Sequence, residues 1–121
     1  MVQITKAELE IMKVLWAEDG LGAAEVHHAL GDAQDWTSRT VKTLLARLVE
    51  KGALTTEADG RRYLYRTALK EGDYKTTAAR QFVDRMFSGR AAPLVAHLAD
   101  GRGLTDEDIA ELEKLLGELK K

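Results

Sequence analysis

Cysteine is absent from all 121 residues of the chain. That excludes disulfides, thiol catalysis, iron–sulfur clusters and cysteine-ligated zinc. Proline occurs once, at Pro93, which suits a chain made mostly of helices. No apolar run approaches the roughly 18–20 residues that a membrane-spanning helix needs. Residues 1–6 lack the charged-then-apolar layout of a secretory leader, so a cytoplasmic protein is expected. Side chains with reactive chemistry are scarce as well. The only serines are Ser38 and Ser88, and neither sits in a nucleophile elbow. His27 and His28 are adjacent and point about 100° apart on a helix, while His97 is distant, so no metal site is expected. Gly20-Leu21-Gly22 and Gly101-Arg102-Gly103 lack the third glycine and the strand context of a dinucleotide loop and read as turns. Nothing points to an enzyme or to a cofactor.

What is present is a folding composition with segregated charge. Hydrophobic residues make up 45% of the chain, enough for one domain or a small domain with an accessory arm. Residues 1–36 set seven acids against Lys6 and Lys13, a net charge of −5. Residues 37–70 set eight basic side chains against Glu50, Glu57 and Asp59, a net of +5. Residues 71–121 return to −2. A basic middle segment inside a near-neutral chain is a candidate footprint for a polyanion.

The spacing of apolar residues places the elements. Thr5-Lys6-Ala7-Glu8 is a capping box, and Leu9, Met12 and Trp16, with Ile11 and Leu15 beside them, continue it as a helix ended by Asp19-Gly20. A short second helix is predicted from about Ala23 to Leu30, followed by a loop through Asp32 and Ala33. Thr37 caps a third helix in which Val41, Leu44, Leu45 and Leu48 fall at i, i+3, i+4, i+7. Arg39, Thr43, Ala46 and Glu50 point the opposite way, flanked by Thr40, Lys42 and Arg47, and Gly52 stops the helix. Two strand-prone runs then flank Asp59-Gly60, a hairpin signal, with Arg61, Arg62 and Arg66 on or beside the tip. Trp16 and Trp36 read as core and helix-packing residues.

Three helices followed by a basic ribbon is the layout of a winged helix-turn-helix, here over residues 1–70. Arginine can pair bidentately with guanine, and a threonine methyl can meet a thymine methyl, so Arg39, Thr40, Lys42, Thr43 and Arg47 are candidate DNA contacts. Arg61 and Arg62 are candidate phosphate contacts. A protein-interaction adaptor of the same fold is the alternative, but such domains usually lack basic residues at both the third helix and the wing. Residues 71–121 read as three further helices forming an arm. Ala79, Phe82, Val83 and Met86 mark the first, Leu94, Val95 and Leu98 the second, and Ile109, Leu112, Leu116 and Leu119 the third, with a 3-4-3 spacing. A unit this small buries surface poorly alone, so Phe82, Met86, Leu94, Leu98, Ile109, Leu112, Leu116 and Leu119 are expected to dimerise it.

The segment from Trp36 to Gly52, WTSRTVKTLLARLVEKG, resembles the recognition-helix signature of the penicillinase-repressor family, the BlaI/MecI/CopY type. The opening run TKAELEIMKVLW and the wing GRRYLY are similar to the family too. The resemblance covers nearly the whole chain. It implies a homodimeric repressor of inverted-repeat operators, often with TACA/TGTA-like half-sites, in which Arg39, Thr40, Lys42 and Thr43 make the groove contacts. Two departures stand out. Copper-responsive members carry a C-terminal cysteine cluster, which this chain lacks. In β-lactam-responsive members a sensor-linked protease cuts the arm at an Asn-Phe bond, and here the matching stretch carries His97-Leu98.

Overall fold

The computed structural model describes residues 2–31, 34–101 and 103–121. The expected loop residues Asp32, Ala33 and Arg102 lie outside the described residues. The elements run α1 (Lys6–Ala17), β1 (Leu21–Gly22), α2 (Ala23–Leu30), α3 (Ser38–Glu50), β2 (Leu54–Asp59), β3 (Arg62–Thr67), α4 (Glu71–Phe87), α5 (Ala91–Asp100) and α6 (Asp106–Leu119). The chain is mainly helical and divides into two compact units, Met1–Tyr74 and Lys75–Lys121.

In the first unit, local sequence signals account for most element boundaries. Thr5 Oγ1 accepts from the Glu8 amide at 3.1 Å while Glu8 Oε1 accepts from the Thr5 amide at 2.9 Å, closing the capping box of α1. Thr37 Oγ1 caps α3 by accepting from the Thr40 amide at 3.1 Å. Gly52 follows α3 with φ of +82°, a left-handed conformation that ends a helix cheaply only in glycine. The hairpin pairs Asp59 with Arg62, so its two-residue turn is Gly60-Arg61, one position beyond the Asp59-Gly60 centre expected. Positive φ at Gly60, and not at Arg61, is the type II′ pattern whose twist matches paired strands.

The sheet has a third strand. Leu21 and Gly22, expected in a turn, form β1 and pair antiparallel with Tyr65 and Leu64, giving the order β1-β3-β2. Two residues carry no period, so nothing local distinguishes this strand from a turn. Its consequence is mechanical: an isolated hairpin is marginal in water, and β1 ties the ribbon to the segment between α1 and α2.

Eleven apolar side chains form the core of this unit: Ile11, Met12 and Leu15 from α1, Leu21, Val26 from α2, the α3 stripe Val41, Leu44, Leu45 and Leu48, and Ala53 and Leu54. Trp16 and Trp36 pack against it half-buried. The Trp16 indole also donates to the Leu69 carbonyl at 2.9 Å, and its ring lies 5.7 Å from that of Tyr74. Glu8 is the buried charge, 1% exposed. It accepts from Lys51 Nζ, which also donates to the Gln3 carbonyl at 2.8 Å, so α1 and the end of α3 are clasped by an ion pair.

The second unit contains most of α4, then α5 and α6. Thr105 and Asp108 close a capping box on α6, whose first turn holds Asp106, Glu107 and Asp108 at the positive dipole end. Phe87 stands between Phe82 and His97, with ring centroids 6.0 and 5.6 Å away. No described residue of this unit is buried. Among the described residues no helix is long and apolar enough to cross a membrane.

Candidate nucleic-acid interface

The interface begins with α3, because its buried stripe fixes what the other face presents. With Val41, Leu44, Leu45 and Leu48 all 6% exposed or less, Arg39, Thr40, Lys42, Thr43 and Arg47 all project to solvent. The first turn of α3 holds no acid, so the positive end of the helix dipole adds to Arg39 rather than being cancelled. Thr43, exposed on this face, donates its Oγ1 hydroxyl to the Arg39 carbonyl at 3.0 Å, which leaves the oxygen able to accept. Ser38, Arg39, Lys42, Thr43 and Ala46 line one open hollow along this face.

The cations of the unit fall into two sets. Lys51 is paired with Glu8, Lys13 with Glu10, Arg62 with Glu25 and Asp59, and Arg66 with Glu57 and Asp19. The hydrogen bond and charge of Glu57 hold the Arg66 guanidinium above its ordinary pKa. Arg39, Lys42, Arg47 and Arg61 have no carboxylate partner among the described residues, and neither do Lys6 and Lys70. The first four are the cations on the open face of α3 and at the wing tip. Lys42 and Arg61 line a second concavity together with Gly22, Ala23, Ala24, Arg62, Tyr63 and Tyr65. The fold therefore brings the recognition-helix candidates and the wing candidates to one surface.

Two features of that surface lie beyond the expected set. Tyr63 is 60% exposed beside Lys42 and Arg61. Arg62, expected to be free for phosphate, is held by Glu25 Oε1 at 2.7 Å and Asp59 Oδ2 at 3.3 Å. Away from this surface, His27 Nε2 lies 2.7 Å from the Trp36 carbonyl, which can only accept, so the ring donates and ties α2 to Trp36 just ahead of α3. No cluster of metal-ligating side chains occurs among the described residues. In the second unit, Phe82, Met86, Leu98, Ile109, Leu116 and Leu119 are exposed, and Leu94 and Leu112 are half-buried.

A three-helix unit with a short third strand, a paired ribbon and unpaired cations on both the third helix and the wing is a winged helix of the nucleic-acid-binding class. A family model described as penicillinase repressor matches residues 4–118, and the chain belongs to the penicillinase repressor family. It is 35% identical over 118 residues to a penicillinase repressor of Bacillus licheniformis, covering 98% of this chain and 92% of that protein. The solution structure of the DNA-binding domain of the repressor BlaI is similar with a TM-score of 0.54 and 40% identity, over 60% of this chain and 88% of that one. The monomeric form of Bacillus licheniformis BlaI in complex with the blaP half-operator is similar with a TM-score of 0.52, at the same identity and coverage.

Proposed function

We propose that this chain is a DNA-binding transcriptional repressor that acts as a homodimer on inverted-repeat operators. The observation that carries the reading is that, among the described residues, Arg39, Lys42 and Arg47 on the exposed side of α3 and Arg61 at the wing tip are unpaired, with Lys42 and Arg61 lining one concavity, while Lys51, Arg62 and Arg66 are neutralised by carboxylates. An adaptor surface has no reason to keep those four charges open at both α3 and the wing. Double-stranded DNA does, because each phosphate neutralised by Lys or Arg releases a condensed counterion. The B-form major groove admits a helix of the width of α3. Arg39, Thr40, Lys42 and Thr43 lie in its first two turns and meet base edges, while Arg47 and Arg61 meet the backbone, with Arg62 beside Arg61 held by Glu25 and Asp59. The half-operator complex of the Bacillus licheniformis relative supports DNA as the partner.

Residues 1–70 supply DNA binding in this account, and residues 71–121 supply dimerisation. Phe82, Met86, Leu94, Leu98, Ile109, Leu112, Leu116 and Leu119 form the apolar face that a second copy covers. A two-fold dimer presents two copies of α3 to two half-sites, which is why an inverted repeat is the matching operator. A mobility-shift titration on the DNA upstream of the protein's own gene tests the reading. A discrete retarded complex that survives excess scrambled duplex is expected. Equal retardation of both duplexes, or none, contradicts it and returns the adaptor.

A further inference from the structure

The cation that departs from the open set is Arg62, and what holds it is informative. Glu25 is in the first turn of α2, near the positive end of the helix dipole. Its Oε1 accepts from the Gly22 amide at 3.1 Å and from Arg62 Nη1 at 2.7 Å. A free helix-terminal amide and a guanidinium converging on one oxygen is an arrangement that suits a phosphate. Here a side chain of the protein fills it. Both groups stand close to the Gly22 backbone: a Cβ built there would make ordinary contact with Glu25 Oε1 at 3.4 Å and Arg62 Nη1 at 3.5 Å. Arg62 also lines the concavity that contains the unpaired Lys42 and Arg61. A backbone phosphate drawn there by Lys42 and Arg61 meets Arg62 already engaged, by Glu25 at the closer distance of 2.7 Å and by Asp59 at 3.3 Å.

We propose that Glu25 is an internal competitor for DNA: its carboxylate occupies the Arg62 guanidinium that the wing would otherwise turn to a phosphate, and so lowers affinity for all duplexes alike. The inference rests on the DNA-binding reading above. Glu25 acts through Arg62 and the local charge, and it carries no sequence information. Its effect is a ceiling on non-specific binding. That ceiling raises the share of affinity which must come from base contacts by Arg39, Lys42 and Thr43.

The test is Glu25→Gln, which keeps the oxygen that accepts from Gly22 and removes the charge. Wild type, Glu25→Gln, Arg62→Ala and the double variant are titrated with a labelled mixed-sequence duplex across a salt series, and each is melted. Because an exposed ion pair is weak, Glu25→Gln should bind about two- to fivefold more tightly. The slope of log K against log salt should steepen by about one unit. The thermal midpoint should stay level or fall, so affinity and stability move in opposite directions, which a purely structural Glu25 cannot produce. In the Arg62→Ala background most of the gain should vanish. Wild type that binds with Glu25→Gln equal or weaker overturns the competitor role and leaves the DNA reading standing. If neither chain binds the duplex at low salt, the DNA reading falls and the inference falls with it.

Discussion

The two units of the chain use similar apolar residues to opposite ends. Within Met1–Tyr74, eleven apolar side chains bury one another, and the α3 stripe from Val41 to Leu48 is closed by α1 and α2. Within Lys75–Lys121 the helices carry comparable stripes, yet Met86 is 61% and Leu119 73% exposed, and no described residue is buried. The first unit has its own thermodynamic centre, whereas the second has the faces of a core without the other half. A second copy of the chain supplies that half in the proposed dimer. The lesson is that a helical periodicity announces burial but not the molecule that provides it.

The largest effect sharpens this contrast directly. Leu45→Ala, at a fully buried site, should cost about 2–5 kcal/mol in a denaturant titration at any protein concentration. Leu119→Ala should cost less than about 0.5 kcal/mol in dilute protein, where its side chain is solvated. Its cost should appear only as protein concentration rises. Equal, concentration-independent losses at the two sites would erase the distinction between the units.

Next in size is the arm. Leu116 is 55% exposed within one chain, so Leu116→Asp should leave the first unit's unfolding transition unchanged. In a dimer the same substitution buries an unpaired charge and should weaken association more than about tenfold. Sedimentation velocity reads the shift from dimer to monomer. Operator affinity should fall with it, although no DNA contact was altered. A wild type that is monomeric at micromolar concentration would dismiss the arm as a dimerisation element.

A smaller effect concerns the Glu8–Lys51 clasp of the first unit. Desolvation raises the Glu8 pKa, but hydrogen bonds from Lys51 and Thr5 and the Lys51 charge outweigh it, so the folded carboxyl titrates below the ordinary 4.5. The stability it contributes is therefore present above pH 4.5 and is lost as pH falls through the lower folded value. Glu8→Gln should be about 1–3 kcal/mol less stable than wild type at neutral pH. The gap should close in acid, as followed by thermal melts from neutral pH downward. A gap of constant size would mean that packing, not charge, accounts for Glu8.

These effects also divide what was legible in the sequence from what was not. The boundaries of α1, α3 and α6 follow from Thr5, Thr37 and Thr105, because a cap and the amide it satisfies lie three residues apart. The stripe of α3 and its basic opposite face follow from the helical period alone. What could not be read are pairings between distant segments. Lys51 reaches Glu8 across 43 positions, Arg62 reaches Glu25 across 37, and Trp16 reaches Leu69 across 53. Strand β1 belongs with these, since Leu21 and Gly22 become a strand only because Leu64 and Tyr65 arrive beside them. Arg62 looked like Arg61 in sequence and differs from it through Asp59 three residues back and through the distant Glu25.

The smallest of these effects is at the wing, where that difference can be measured. Arg61→Ala removes an unpaired cation and should make the salt slope shallower by about one unit, equally for operator and scrambled DNA. The stability of the fold should not change, because Arg61 is exposed in the turn. An unchanged slope would take the wing tip off the DNA backbone.

The central claim, that the open face of α3 reads sequence, is tested most directly by paired titrations of Arg39→Ala and Lys42→Ala. Each variant is measured on the operator and on a scrambled duplex at one fixed salt concentration. Both side chains lie outside the buried stripe, so thermal midpoints should match wild type. At least one variant should lose roughly 1–3 kcal/mol on the operator and distinctly less on the scrambled duplex, so that the specificity ratio contracts. Equal losses on both duplexes, or no loss on either, would contradict the assignment of α3 as the recognition helix.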